Sequence, residues 1–180
     1  AALIENAGKE GRRRRVLAVP DLGVLPKKLL EEILERNHVV LNEKTVILES
    51  YKRSATCLET ILKHSVVEDE VSVLSEAEYE KYPLVLPLAE CFLEKDIRLT
   101  YEEYHACIGA AENYAKANEN YQFNLTKIKG FHNIQITCFE GKWCMISKNR
   151  APAIHFVIHH PKLRYALENM VLPIRDDEIE

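Results

Sequence analysis

The apolar residues of this chain change period near residue 120, and that change limits the folds open to it. Before it, the clearest runs repeat every three or four residues. Leu25, Leu29, Leu30, Ile33 and Leu34 follow Pro26 and predict a helix to about Arg36. Tyr104, Cys107, Ile108, Ala111, Tyr114 and Ala115 predict another, opened by the capping-box pair Thr100 and Glu103. After it, Tyr121, Phe123 and Leu125, then Ile134, Ile136 and Cys138, alternate with polar residues as strands do. Helices that precede strands predict an α+β fold: a helical N-terminal half packed against a small, mainly antiparallel C-terminal sheet with a closing helix.

Shorter signals fill in the rest. Val16–Val19 reads as a strand stopped by Pro20-Asp21, and Val39–Leu41 and Thr45–Leu48 read as extended around polar Asn42-Glu43-Lys44. A second helix is expected over Thr56–Lys63, and a short one begins at the Ser75–Glu78 capping box and ends at Pro83. Val66–Leu74 is β-rich but studded with acids, and Leu84–Leu93 reads as a buried strand followed by a short helix. Gly109-Ala110-Ala111 offers a small-residue patch for close approach of another element. Glu140-Gly141 marks a hairpin, Ala153–His159 a further strand, and Pro161 opens a helix closed by Pro173.

The domain plan is a flexible basic tail over 1–15, one α+β domain over 16–175, any subdivision falling near 96–100, and an acidic tail over 176–180. The tail contains Arg12, Arg13, Arg14 and Arg15, four like charges that repel and do not fold alone. They read as an import signal, a nucleic-acid arm or a solubilising segment. With 180 residues and 47% hydrophobic composition the chain is long and apolar enough for a core, so wholesale disorder is excluded. No apolar run approaches the roughly 18–20 residues of a membrane span, and no signal peptide is read, so no membrane partner is expected.

Charge is uneven. Residues 121–165 hold seven basic side chains (Lys127, Lys129, Lys142, Lys148, Arg150, Lys162 and Arg164) against one acid, Glu140, in a chain of net charge −4. Phe131, Phe139, Trp143 and Phe156 are interleaved with them, a composition that suits either an acidic protein surface or nucleic-acid phosphates and bases. The five cysteines are odd in number and irregular in spacing. That points to a reducing, intracellular setting, nuclear rather than cytoplasmic in view of the arginine run.

Cys138, Cys144, His155 and His159 are the residue types of a zinc site, although the two cysteines are more widely spaced than usual. A two-residue turn at Glu140-Gly141 puts the thiols on opposite faces of the hairpin, whereas a three-residue bulged loop puts them on one. Glycine-rich phosphate loops and nucleophile motifs are absent, so no cofactor and no catalytic residue is assigned. The expected function is a non-enzymatic interaction or scaffold domain of an intracellular complex. It would meet an acidic protein through Lys127, Lys129, Lys142, Trp143, Lys148, Arg150, Lys162 and Arg164. The alternatives are DNA or RNA binding by the same block, and an enzyme whose site gathers residues from distant segments.

Overall fold

The computed structural model describes residues 11–88, 95–126 and 132–170. Among them, six strands form one sheet: β1 (Gly11–Leu17), β2 (Ser65–Ser72), β3 (Tyr121–Thr126), β4 (Ile134–Phe139), β5 (Trp143–Lys148) and β6 (Ile154–Ile158). Five α-helices accompany them: α1 (Lys27–Arg36), α2 (Leu41–Leu62), α3 (Glu76–Lys81), α4 (Tyr101–Lys116) and α5 (Pro161–Met170). The strand order is β3-β2-β1-β4-β5-β6. The first three strands are mutually parallel and joined by helical crossovers, while β4, β5 and β6 form an antiparallel meander that continues from β1.

This corrects the expected architecture. The sheet is mixed and interleaved with the helices from the start of the chain, and its two central parallel strands come from the supposedly helical half. The error begins at Arg12–Arg15, which are no tail. They form most of β1, in the middle of the sheet. Four arginines repel only until acids stand beside them, and the parallel register sets Arg14 against Glu68 and Arg15 against Asp69 on β2. Glu68 takes Arg14 at 2.9 Å and Arg12 at 3.2 Å, so the acids of β2 neutralise the arginine strand.

Alternation divides the arginines between the two faces of the sheet. Arg12, Arg14 and Val16 share the face on which Val16, Ile136, Cys138 and Cys144 form a small cluster beneath Leu167 of α5. Arg13, Arg15 and Leu17 face the other side, where α1, α2 and α4 build the main core with Leu30, Ile33, Leu34, Leu58, Tyr104 and Ile108. Helices α1 and α4 run close to expectation, and both capping boxes form, Ser75 with Glu78 and Thr100 with Glu103.

Helix α2 differs from the reading. The segments expected as extended, Thr45–Leu48 and the end of Val39–Leu41, belong to one 22-residue helix whose last turns are the predicted Thr56–Lys63. β-branched residues lower helix propensity only slightly, and burial of Ile47, Leu58, Ile61 and Leu62 against the sheet outweighs that. At Gly109 the expected close neighbour is missing: a Cβ there would meet nothing within 4 Å. Gly109→Ala is therefore expected to stabilise the domain by about 0.5–1 kcal/mol, read as a higher urea midpoint at unchanged slope. On α5, Leu163, Tyr165 and Met170 stay exposed and only Leu167 packs. The predicted strand and helix over Leu84–Leu93 reduce to one bridge between Val85 and Arg98, the remainder past Leu88 lying outside the described residues.

Candidate anion-binding cleft

Helix α2 packs over the parallel half of the sheet, and beside it, over β4 and β5, the same side of the sheet holds a depression. This depression is a cleft of about 370 Å³, walled by α2 on one side and by β1, β4 and β5 below. That volume lies in the range of small-molecule sites. A smaller lobe of about 160 Å³ continues it past Asp21 and Gln135 toward Ser147 and His155.

The floor follows from strand parity. Arg13 and Arg15 of β1, Gln135 and Thr137 of β4, and Trp143 and Met145 of β5 point to this side. The α2 wall has Leu58 and Ile61 at one end and Ser50, Arg53 and Ser54 at the other. Most of the lining surface is apolar, and three arginines border it against one lining carboxylate, Asp21.

Two of these arginines differ in a way that matters. Arg15 is held on both sides. Its Nε and Nη2 donate to the two oxygens of Asp69 at 2.6 and 2.7 Å, and its Nη1 donates to Asp21 at 2.6 Å. Burial opposes its charge, but Asp69 and Asp21 outweigh burial and raise its pKa above the ordinary value. Tyr121 adds a hydrogen bond from its hydroxyl to Asp69 at 2.6 Å. Asp21 in turn accepts from the Gly23 amide at 3.0 Å and from the Ser54 hydroxyl, which fixes the β1–α1 connection against α2. Burial pushes the Asp21 carboxyl up, yet Arg15 and these donors hold it below the usual range.

Arg13 has no such partners. It is 8% exposed, and its Nε and Nη2 are buried without a hydrogen-bond acceptor among the described residues. Its guanidinium lies 5.1 Å from the Phe139 ring centre and 5.9 Å from that of Trp143. Burial, with Arg15 adding repulsion, pushes its pKa down to about 10 although the Cys57 thiol works the other way. The Trp143 Nε1 is likewise buried without an acceptor. Arg13 and Trp143 both line the cleft, and the donor atoms that lack acceptors lie just behind its surface, closed to solvent.

Gly23 secures the geometry. A Cβ there would lie 2.7 Å from the Ala55 nitrogen and 2.8 Å from the Ser54 carbonyl carbon, both in the backbone of α2. Gly23→Ala is expected to push α2 off the connection and lower stability by about 1–3 kcal/mol, as a chemical denaturation curve would show.

The residues singled out by the sequence are dispersed. Trp143, expected on a partner surface, is buried in the cleft wall, because its parity with Met145 directs it beneath α2. Arg13 and Arg15, expected in a tail, are the cleft's central cations. Lys142 stands at the hairpin tip with its Nζ 4.3 Å from the Phe139 ring centre, while Lys148 and Arg150 lie at the far end of β5. Arg150 pairs with Asp96 at 3.1 Å, Arg164 with Glu168 at 3.4 Å, and Lys162 is exposed on α5. Lys127, Lys129 and Phe131 lie outside the described residues.

The zinc set does not assemble. Cys138 and Cys144 share the α5 face, whereas His155 stands opposite Ser147, on the cleft face, 2.9 Å from its hydroxyl. His159 has the parity of His155 and is exposed, and no metal-ligand cluster occurs among the described residues. No described helix is long and apolar enough to cross a membrane. Comparison of the chain with family models, with curated proteins and with solved structures gives no match.

Proposed function

We propose that this domain binds a small organic anion with an apolar body in the cleft beneath α2. One observation supports this above the others: the buried Arg13 guanidinium, with two donor nitrogens that have no acceptor. A buried donor without a partner costs about 1–3 kcal/mol, more when charged. Two aromatic rings at 5–6 Å return about 0.5–2 kcal/mol through cation–π attraction, which leaves the charge undercompensated. A carboxylate or phosphate oxygen that reaches Arg13 or the Trp143 N–H, both closed to solvent in the free chain, supplies the missing acceptor once the side chains around them shift. The rest of such a ligand would lie along Leu58, Ile61 and Met145, with Ser50, Ser54 and Gln135 available to its polar atoms.

The experiment is a thermal-melt panel of aryl carboxylates, aliphatic carboxylates and organic phosphates, each beside its neutral analogue, on the native chain and on Arg13→Met. At about 100 times its dissociation constant a ligand adds about 2.7 kcal/mol. For a domain of this size that raises the midpoint by about 5–10 °C. The expected result is such a rise for an anion with an apolar body, absent for its neutral analogue and reduced to about a third or less in Arg13→Met. An undiminished rise in Arg13→Met contradicts the reading, as does a panel without any rise.

A second reading, an interaction module of an intracellular complex, draws support from a different place. Ile154 and Phe156 on the edge strand β6, with Leu163 and Tyr165 on α5, are large apolar side chains left exposed. Exposed sheet edges are common sites of strand addition. The basic side chains lend less support, because Lys142 is separated from Lys148 and Arg150 by the length of β5. A nucleic-acid surface draws the least support, since of the interleaved aromatics among the described residues Phe139 and Trp143 are buried and Phe156 alone is exposed.

A further inference from the structure

On the face of the sheet away from the cleft, Cys138 and Cys144 stand directly opposite each other in the β4–β5 register. The hairpin loop decides this. It has three residues, Glu140-Gly141-Lys142, with Gly141 at φ +73° taking the left-handed position of a bulged turn, so both thiols fall on one side. Directly opposite residues of an antiparallel pair have Cα atoms about 4.5–5.5 Å apart. That lies inside the roughly 4.4–6.8 Å that a disulfide spans. The two Sγ atoms are 2.7 Å apart. Both thiols are buried, and burial holds both above the ordinary thiol pKa.

Among the described residues, one helix covers them. Leu167 of α5 packs on the cluster, and the Arg164 carbonyl lies 3.7 Å from Cys144 Sγ. Helix α5 buries none of its own residues completely, so little apolar area holds it down. Its polar tie is Glu168, whose Oε1 accepts from the Gly141 amide at 3.0 Å at the tip of the same hairpin.

We propose that Cys138 and Cys144 are a reversible dithiol–disulfide pair, oxidised by hydroperoxide and shielded by α5. In the first step one thiol loses its proton and attacks a peroxide oxygen, giving a sulfenic acid and, from hydrogen peroxide, one water. The second thiol's sulfur then attacks the sulfenic sulfur and the hydroxyl leaves as a second water. Two thiols and one hydrogen peroxide thus give one disulfide and two waters. An added dithiol returns the pair to the reduced form. The proposal is independent of the anion reading, since it uses the opposite face of the sheet.

The test treats the folded full chain with hydrogen peroxide, quenches it, alkylates the remaining thiols under denaturing conditions, and digests with trypsin. Cleavage after Lys142 separates the two cysteines unless a bridge joins them. The expected result is a joined Cys138–Cys144 peptide pair with loss of two alkylatable thiols per chain, restored by dithiothreitol. In Glu168→Ala the bridge is expected to form several-fold faster, because α5 loses its tie to the hairpin. Alkylation of both cysteines after peroxide treatment overturns the proposal, as does their oxidation to sulfinic acid without a bridge. Equal rates in native chain and Glu168→Ala overturn the shielding by α5.

Discussion

Replacing Arg15 by methionine is expected to cost the domain about 3–5 kcal/mol, the range for breaking a buried ion pair from one side. Asp69 is fully buried, and two of its hydrogen bonds come from Arg15. Without the guanidinium, one carboxylate is stranded in the core and Asp21 loses its counter-charge. Domains of this kind carry only about 5–15 kcal/mol of stability, so the variant is expected to lose much of its margin. Urea denaturation followed by circular dichroism measures it. Arg15→Lys recovers only part of the loss, since one ammonium cannot present three donors to two carboxylates in a fixed fork. A change below about 1 kcal/mol in Arg15→Met would mean that the cluster is not structural.

The same cluster sets a sign for acid sensitivity. The folded pKa of Asp21 lies below its unfolded value, chiefly because Arg15 outweighs the penalty of burial. Between those two values the unfolded chain binds more protons, so stability falls as pH falls. The contribution is complete above the unfolded carboxylate value of about 4 and is lost as pH drops through the folded one. Asp21→Asn is expected to flatten the stability profile in that acid range, as denaturation at a series of pH values would show.

The second large effect concerns Arg13, and there affinity changes while the fold does not suffer. Truncating one partner of a buried, hydrogen-bonded charge pair costs about 2–5 kcal/mol of binding. Arg13→Met is therefore expected to weaken the best anion of the panel by about 30-fold or more, measured by calorimetric titration. Thr137→Val, on the same floor but uncharged, is expected to change affinity much less. Equal losses in the two variants would place the anion's charge elsewhere than at Arg13.

What the sequence revealed and what it concealed have separate physical causes. Capping boxes at Ser75 and Thr100 and the stripes of α1 and α4 are local signals, and local geometry honours them. The role of Arg12–Arg15 is mostly not local: Asp21 is six positions from Arg15, but Glu68 and Asp69 stand 54 positions from Arg14 and Arg15, and nothing in the arginine run itself announces them. Alternation was also hidden in β1, because both of its faces carry the same charged residue. The hairpin was legible but its loop length was not, and one residue of loop decides whether Cys138 and Cys144 meet.

The cleft did leave a trace in the sequence. Ser50 and Ser54 interrupt the buried stripe of α2 between Ile47 and Leu58, and polar residues inside an apolar stripe mark a place where the helix faces something other than core. That trace disappears once Thr45–Leu48 is read as a strand. Glu68 and Asp69, two of the acids that stud the β-rich segment, are the complementary half of the arginine strand.

Whether Arg13 serves a ligand or the fold is decided by the stability of ligand-free Arg13→Met. Replacing a whole buried ion pair by packed apolar side chains is often neutral or stabilising, by about 1–4 kcal/mol, and at Arg13 no hydrogen-bonded carboxylate is left stranded by the change. The urea midpoint of Arg13→Met is expected to stay level or rise, while that of Arg15→Met falls steeply. If both fall together, Arg13 is a structural cation like its neighbour, and the anion-binding reading of the cleft is wrong.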